Sequence, residues 1–167
     1  MRRVLCGLLL VGLSSLAQAA PRIINGARFS FPLPEGYEDI TSGLSESQRG
    51  RQMVVVIAEA TTAGTQPTIV FQKAPVPARI QDPAGCKRTG EQLASGVKGK
   101  LLRSAIVAGP VGKACQMELV GMPGVAFITE LDVPGETWLM TCNHAEGDAA
   151  ADKVCKATLA AVKVVKK

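Results

Sequence analysis

The chain's only histidine follows a cysteine by two residues, in the segment Thr141-Cys142-Asn143-His144. A thiol beside an imidazole can act as nucleophile and base in a thiol enzyme. That chemistry needs a reduced thiol, whereas cysteines in an exported chain are usually oxidised. We therefore expect Cys142 to form a structural disulfide beside an exposed His144, and thiol catalysis at this pair is the alternative.

Two carboxylates, Glu130 and Asp132, are spaced two residues apart on a predicted strand, so they project to one face of a sheet. Glu118 falls on a predicted neighbouring strand. Paired carboxylates can hydrolyse a glycoside, but they are more often the solvated face of an antiparallel sheet. We assign no catalytic residue here and keep a carboxylate hydrolase as an alternative.

Other reactive arrangements are missing from the sequence. It contains neither the G-x-S-x-G elbow of a serine hydrolase nor the glycine-rich G-x-x-x-x-G-K-[ST] phosphate loop. No two cysteines are two to four residues apart, and one histidine is too few for a typical zinc site. The sequence therefore predicts no metal and no cofactor.

The first twenty residues, MRRVLCGLLLVGLSSLAQAA, have the build of a secretory signal. Arg2 and Arg3 precede an apolar run, and Ala17-Gln18-Ala19 fits the small-x-small cleavage pattern. We predict a cut after Ala19, a single domain over residues 20–167, and a periplasmic or secreted protein. No later segment reaches the length of a membrane-spanning helix, so we expect no stable membrane anchor.

Four cysteines remain after the predicted cut, and an even count in an exported chain predicts two disulfides. Three pairings are open. We favour Cys142–Cys155, which closes a short loop, together with Cys86–Cys115, which would tie the start of a helix to a strand.

The charge of the chain argues against nucleic acid as a partner. The net charge is +5, and Arg2 and Arg3 of the predicted leader supply part of it. The remaining lysines and arginines are scattered, and no aromatic residues alternate with them as a base-stacking platform needs.

Hydrophobic patterning predicts an α+β fold in the order β-β-β-α-β-β-β-β-α, with about six to seven mainly antiparallel strands packed with two helices. The turns between the last four strands are short, which forces antiparallel neighbours. In the first helix, Gly90, Leu93 and Val97 share a face and Asp82 is the expected cap. The predicted strands are 28–33, 52–60, 68–73, 101–108, 113–121, 125–132 and 136–142, and the helices run from 82 to about 99 and from 148 to about 162.

The segment Phe29-Ser30-Phe31-Pro32-Leu33-Pro34-Glu35-Gly36-Tyr37 resembles the FSF-x-x-P-x-G-W start of PsbP-like and DcrB-like domains, with Tyr37 in place of tryptophan. The order of predicted elements is also similar over nearly all of the chain after the leader. The resemblance implies an exported, non-enzymatic accessory protein that binds a larger partner. It carries over no catalytic residues.

We therefore predict a non-enzymatic binding or accessory protein of the cell envelope or the secreted fraction, with an unknown protein partner. A small exported enzyme and a secreted inhibitor or effector are the alternatives. Trp138 is expected in the core, but if it is exposed near Tyr37, the two would form an aromatic patch for partner binding.

Overall fold

The computed structural model describes residues 22–26, 28–59, 65–74, 80, 82–110, 112–121 and 124–165. The predicted leader, its cut after Ala19 and the last two lysines lie outside these residues.

One seven-stranded antiparallel sheet dominates the fold, with the spatial order β3-β4-β5-β9-β8-β7-β6. Its last four strands form the predicted meander, and Gly135, at φ +80°, has the conformation that its Pro-Gly turn requires. The strands are β3 (Tyr37–Asp39), β4 (Val54–Ala58), β5 (Thr68–Lys73), β6 (Lys100–Gly109), β7 (Gly112–Gly121), β8 (Gly124–Val133) and β9 (Glu136–His144).

A smaller three-stranded sheet and three helices complete the described structure. The small sheet has the order β1-β2-β10, and a 3-10 turn at Thr41–Gly43 precedes the first helix. These elements are β1 (Ile23–Asn25), β2 (Phe29–Pro32), β10 (Lys163–Val164), α1 (Glu46–Gly50), α2 (Pro83–Gly96) and α3 (Ala149–Ala161). The predicted α+β class with a mainly antiparallel sheet is confirmed.

Two residues that follow the last helix form a short strand, β10, which the sequence analysis does not predict. Helix α3 stops at Ala161, and Lys163 and Val164 pair with Ser30 and Phe29 of β2. The β-branched valines here gain more from a strand against a buried phenylalanine than from another helical turn.

The pairing register divides the side chains of the large sheet between two faces, because directly opposite residues share a face. We call them the α3 face, which carries Phe127, Met140 and Cys142, and the α2 face, which carries Met117, Ile128 and Thr141. The α3 face holds the main core, where Phe29 meets Trp138 edge-on at 5.6 Å between ring centroids. Along β9, Trp138 and Met140 lie on this same face.

A disulfide holds each of the two long helices to its own face of the sheet. Cys142 of β9 bonds Cys155 of α3, and Cys86 of α2 bonds Cys115 of β7, with Cα atoms 5.9 and 5.5 Å apart. These are the pairings that the sequence favours. All four cysteines are buried.

The buried face of α2 is not the one predicted. Cys86, Gly90 and Ala94 are buried, whereas Leu93 and Val97 are 41% and 53% exposed. The bond to Cys115 fixes the rotation of the helix, and Gly90 then lies against the sheet. A Cβ atom at Gly90 would come within 2.7 Å of a Leu101 methyl, so a larger residue there would require the Leu101 side chain to shift.

Replacing both Cys86 and Cys115 by alanine should lower the free energy of unfolding by about 3 kcal/mol, because the unfolded chain is no longer cross-linked. Replacing both Cys142 and Cys155 by alanine should lower the free energy of unfolding by a similar amount. Urea unfolding without reductant measures both, and midpoints equal to that of the wild type would contradict the expectation.

Candidate functional site

An apolar cleft of about 330 Å³ lies between α2 and the α2 face of strands β7 to β9. The exposed side chains of Leu93 and Val97 form its helical wall, and Leu119, Ala126 and Ile128 are on its floor. This volume is at the lower end of the range for ligand sites in proteins. The other described lining residues are Thr65, Gly121, Gly124, Val125, Thr141, Asn143 and His144.

The cleft is a consequence of how α2 is attached to the sheet. Because the stripe of Cys86, Gly90 and Ala94 faces the sheet, the larger side chains of Leu93 and of Val97, which caps the helix, remain at its side. On the floor, Ala126 leaves space between its cross-strand neighbours Leu119 and Asn143.

The polar side chains at the cleft carry amide and hydroxyl groups, together with the imidazole of His144. The Asn143 Nδ2 atom donates a hydrogen bond of 3.2 Å to Thr68 Oγ1, which holds the carboxamide in place. None of the described lining residues is Lys, Arg, Asp or Glu. Such a surface suits a ligand whose inserted part is apolar and uncharged.

The predicted thiol pair is not arranged for catalysis. The Cys142 sulfur is bonded to Cys155, and the expectation of an exposed His144 is wrong, since this residue is only 4% exposed. Its Nδ1 atom lies 2.8 Å from the carbonyl oxygen of Ala145, and Nε2 is buried without a hydrogen-bond partner among the described residues. The ring is enclosed because His144 pairs with buried Val125 at the end of β9.

The predicted carboxylate pair does share a face, because Glu130 pairs with Leu139 and Asp132 with Thr137. Asp132 accepts a hydrogen bond of 2.9 Å from Thr137 Oγ1. Glu130 is 4% exposed, so the prediction of a solvated face is wrong at this residue. Glu118 faces the opposite side, where it forms a salt bridge of 2.9 Å with Arg103.

Burial raises the pKa of Glu130 to about 7, and the nearby charge of Asp132 contributes to the rise. A hydrogen bond from the Ile80 backbone partly offsets this rise in pKa. The Oε1 atom of Glu130 is buried and has no hydrogen-bond partner among the described residues. Neither carboxylate lines the apolar cleft. A raised pKa is typical of acid–base catalysts, but Glu130 lines none of the clefts formed by the described residues.

Trp138 lies in the main core, as expected, with only 1% of its surface exposed, so the alternative of an aromatic patch with Tyr37 does not arise. Its indole Nε1 donates a 3.1 Å hydrogen bond to Glu136. Tyr37 is half-buried and packs against the same core, three strands away in the sheet. Burial and then the charge of Asp148 raise the pKa of Tyr37.

Glu136 is a structural residue that the sequence analysis missed. Besides Trp138, its carboxylate binds Lys73 of β5 at 2.9 Å and Arg28, next to β2, at 3.2 Å. The hydrogen bonds from Lys73 and Trp138 lower the pKa of this carboxyl, and the Arg28 charge acts in the same direction. A single glutamate at a turn gives no sequence signal of partners so distant in the chain.

Within the described ranges, no three histidine, cysteine or acidic side chains form a group that could hold a metal ion. No described helix is both long and apolar enough to cross a bilayer.

Comparison with known proteins adds little to these observations. No protein-family model and no curated protein sequence matches the chain. Among solved structures, it is similar to LpqN, involved in cell envelope biogenesis of Mycobacterium tuberculosis, with 13% sequence identity and a TM-score of 0.44. The alignment covers 88% of this chain and 91% of LpqN, and at that TM-score it carries no argument about fold or function. The structure itself defines an α+β protein with two disulfides and an apolar cleft.

The raised pKa of Glu130 predicts a pH-dependent stability. The folded protein keeps this carboxyl neutral up to about pH 7, whereas the unfolded chain ionises it near pH 4.5, the ordinary pKa of a glutamate. The stabilisation that the neutral Glu130 carboxyl gives the folded state is therefore complete below pH 4.5, its pKa in the unfolded chain. This stabilisation is lost as the pH rises through about 7, its pKa in the folded protein. The loss is on the order of 3 kcal/mol at most.

Replacing Glu130 by glutamine should remove this loss, since the amide oxygen still accepts the Ile80 hydrogen bond. Urea unfolding at pH 4 and pH 8 should show that Glu130→Gln gains stability relative to the wild type only at the higher pH. The control Glu59→Gln, at an exposed position, should change the free energy of unfolding by the same amount at pH 4 and at pH 8. An equal effect of Glu130→Gln at both pH values would refute the assignment.

Proposed function

We propose that the protein works outside the cytoplasm as a non-enzymatic binding protein, and that its ligand inserts an uncharged apolar chain into the cleft beside α2. The cleft is the observation that carries this proposal. Leu93 and Val97 are two of the most exposed large apolar side chains of the described structure, and both line it. Contiguous exposed apolar surface usually marks a binding site.

The proposed location rests on the leader sequence and on the cysteines. A leader with a cut after Ala19 would deliver the chain to the periplasm or the exterior, where disulfides persist. The two disulfides are compatible with that compartment. A PsbP-like or DcrB-like relationship remains part of the proposal, supported by the residues of the Phe29–Tyr37 segment.

The shape and chemistry of the cleft favour a linear acyl chain. Its floor follows β8 from Gly124 to Ile128, which corresponds to about 13 Å of strand. No described lining residue offers a carboxylate, ammonium or guanidinium group to a charged ligand. The hydroxyl of Thr141 and the amide of Asn143 are suited to an ester or hydroxyl group at the end of the chain.

Two features of the described residues support a non-enzymatic role over the two enzyme alternatives, a thiol enzyme and a carboxylate hydrolase. Cys142 is in a disulfide and has no thiolate to offer, and neither Glu130 nor Asp132 is among the lining residues of the cleft. A protein partner, as predicted from the sequence, would occupy the same cleft with apolar side chains.

Binding of the glycerol monoester of lauric acid tests the proposal, with laurate as the charged comparison. Titration followed by methyl NMR should shift the signals of Leu93, Val97 and Ile128, and the neutral ester should bind at least as tightly as laurate. Ala126→Leu should weaken binding by about tenfold or more, because the added side chain fills the floor. The control Ala157→Leu adds the same bulk at an exposed position on α3 and should bind as the wild type does.

Shifts at the equally exposed Ile23 and Leu102 that match those at the cleft would indicate non-specific adsorption and would overturn the proposal. So would binding that Ala126→Leu leaves unchanged. An absence of lipid binding would leave the protein-partner alternative as the better account of the cleft.

A further inference from the structure

A second cleft, of about 410 Å³, lies on the α3 face of the large sheet beside the start of α3. We call it the His144 cleft, and α3, the loop that precedes this helix and strands β6 to β9 form its walls. Glu118 in its lining belongs to the α3 face because it pairs with Phe127. The His144 cleft is therefore on the opposite side of the sheet from the apolar cleft. Val125 and His144, at the end of the sheet, line both.

His144 brings an unsatisfied hydrogen-bond acceptor to this cleft. It follows Cys142 by two residues on β9, so both side chains are on the α3 face. Its Nδ1 atom carries the hydrogen in the contact with the Ala145 carbonyl, since a carbonyl oxygen only accepts. In the neutral ring Nε2 then keeps a lone pair, and this buried atom has no partner among the described residues. Such an acceptor favours a ligand that donates to it.

The charged side chains of the His144 cleft leave an excess of negative charge. Its described lining includes four carboxylates and two cations, and each cation already pairs with one carboxylate. Glu146 and Asp148 have no cationic partner within the described ranges. One Asp148 oxygen accepts the Ala151 N–H at 2.9 Å, which leaves the other oxygen for a ligand. The existing pairs are Arg103–Glu118 at 2.9 Å and Lys156–Asp152 at 2.6 Å.

An ammonium group is the chemical complement of these acceptors. It has a positive charge and three N–H donors, and it has no acceptor of its own. A hydroxyl group would leave the charges of Glu146 and Asp148 uncompensated, and a carboxylate or phosphate would be repelled by them. Leu102 is 49% exposed and also lines the cleft, so it offers apolar surface to an alkyl stem.

We propose that the His144 cleft binds a primary aliphatic amine. The ammonium group donates a hydrogen bond to His144 Nε2 and pairs with Glu146 and Asp148, and the alkyl stem packs on Leu102. Neither of these two carboxylates nor Leu102 lines the apolar cleft. The amine site is therefore separate from the proposed acyl-chain site, and failure of one proposal does not imply failure of the other.

Titration with butylammonium, followed by ¹⁵N NMR of the imidazole ring, tests the site at pH 8, which keeps the probe protonated. Saturable binding should move the Nε2 resonance of His144, because its lone pair then accepts a hydrogen bond. The methyl signals of Leu102 should move as well, whereas those of Leu93 and Val97 in the apolar cleft should not. Tetramethylammonium has the same charge without an N–H group and should bind about tenfold more weakly.

Three variants test the proposed contacts. Glu146→Gln and Asp148→Asn should each weaken butylammonium binding by about threefold, because each removes one partly screened charge. Asparagine still caps α3, so Asp148→Asn should fold. His144→Phe keeps a ring but removes the acceptor, and should weaken binding by about tenfold or more. The control Glu91→Gln removes an exposed carboxylate on α2, across the sheet, and should bind as the wild type does.

Absence of saturable butylammonium binding would overturn the proposal. So would binding that Glu146→Gln and Asp148→Asn both leave unchanged, which remains decisive if His144→Phe does not fold. Butanol that moves the Nε2 resonance as far as butylammonium would assign the cleft to hydroxyl groups instead, and equally tight tetramethylammonium would exclude the bond to Nε2.

The same ammonium group occurs on free amines and on lysine side chains, and a further probe separates these sources. Nα-acetyl-lysine methylamide presents the group on a peptide unit. Binding tighter than that of butylammonium would support a lysine of a protein partner, and weaker binding would support a free amine.

Discussion

The attachment of each long helix to a different face of one sheet is the constraint on which the rest of the structure depends. Cys155 ties α3 to the central strand β9, and Cys86 ties α2 to β7 near the edge. A cross-link fixes the rotation of a helix as well as its position. Packing alone would favour turning the larger apolar side chains of α2 towards the sheet. The Cys86–Cys115 bond instead selects the narrow stripe of Cys86, Gly90 and Ala94.

The apolar cleft is a consequence of this rotation of α2. Once small residues carry the contact between helix and sheet, α2 lies close to the sheet and Leu93 and Val97 are left beside the gap. The main core does not need this helix face, since it lies on the other side of the sheet around Trp138 and Phe71. The protein can therefore leave apolar surface accessible on the α2 face without opening its core.

Strong local patterns made most of the fold predictable from the sequence. The four-strand meander follows from alternating residues and short turns, and the start of α2 from Asp82, whose carboxylate accepts a 2.7 Å hydrogen bond from the Gly85 amide. The cleft was not predicted, because Leu93 and Val97 fit a conventional buried face. The spacing of Cys86, Gly90 and Ala94 is the sequence signal that indicates the buried face of α2. The burial of His144 and the ion pairs of Glu136 depend on distant segments, so no local pattern could indicate them.

Peptide mapping of the unreduced protein recovered from its natural compartment tests the central claim most directly. The account predicts a chain that begins at Ala20, with the Cys86 peptide linked to that of Cys115 and the Cys142 peptide linked to that of Cys155. A chain that keeps Met1 and carries four free thiols would contradict it.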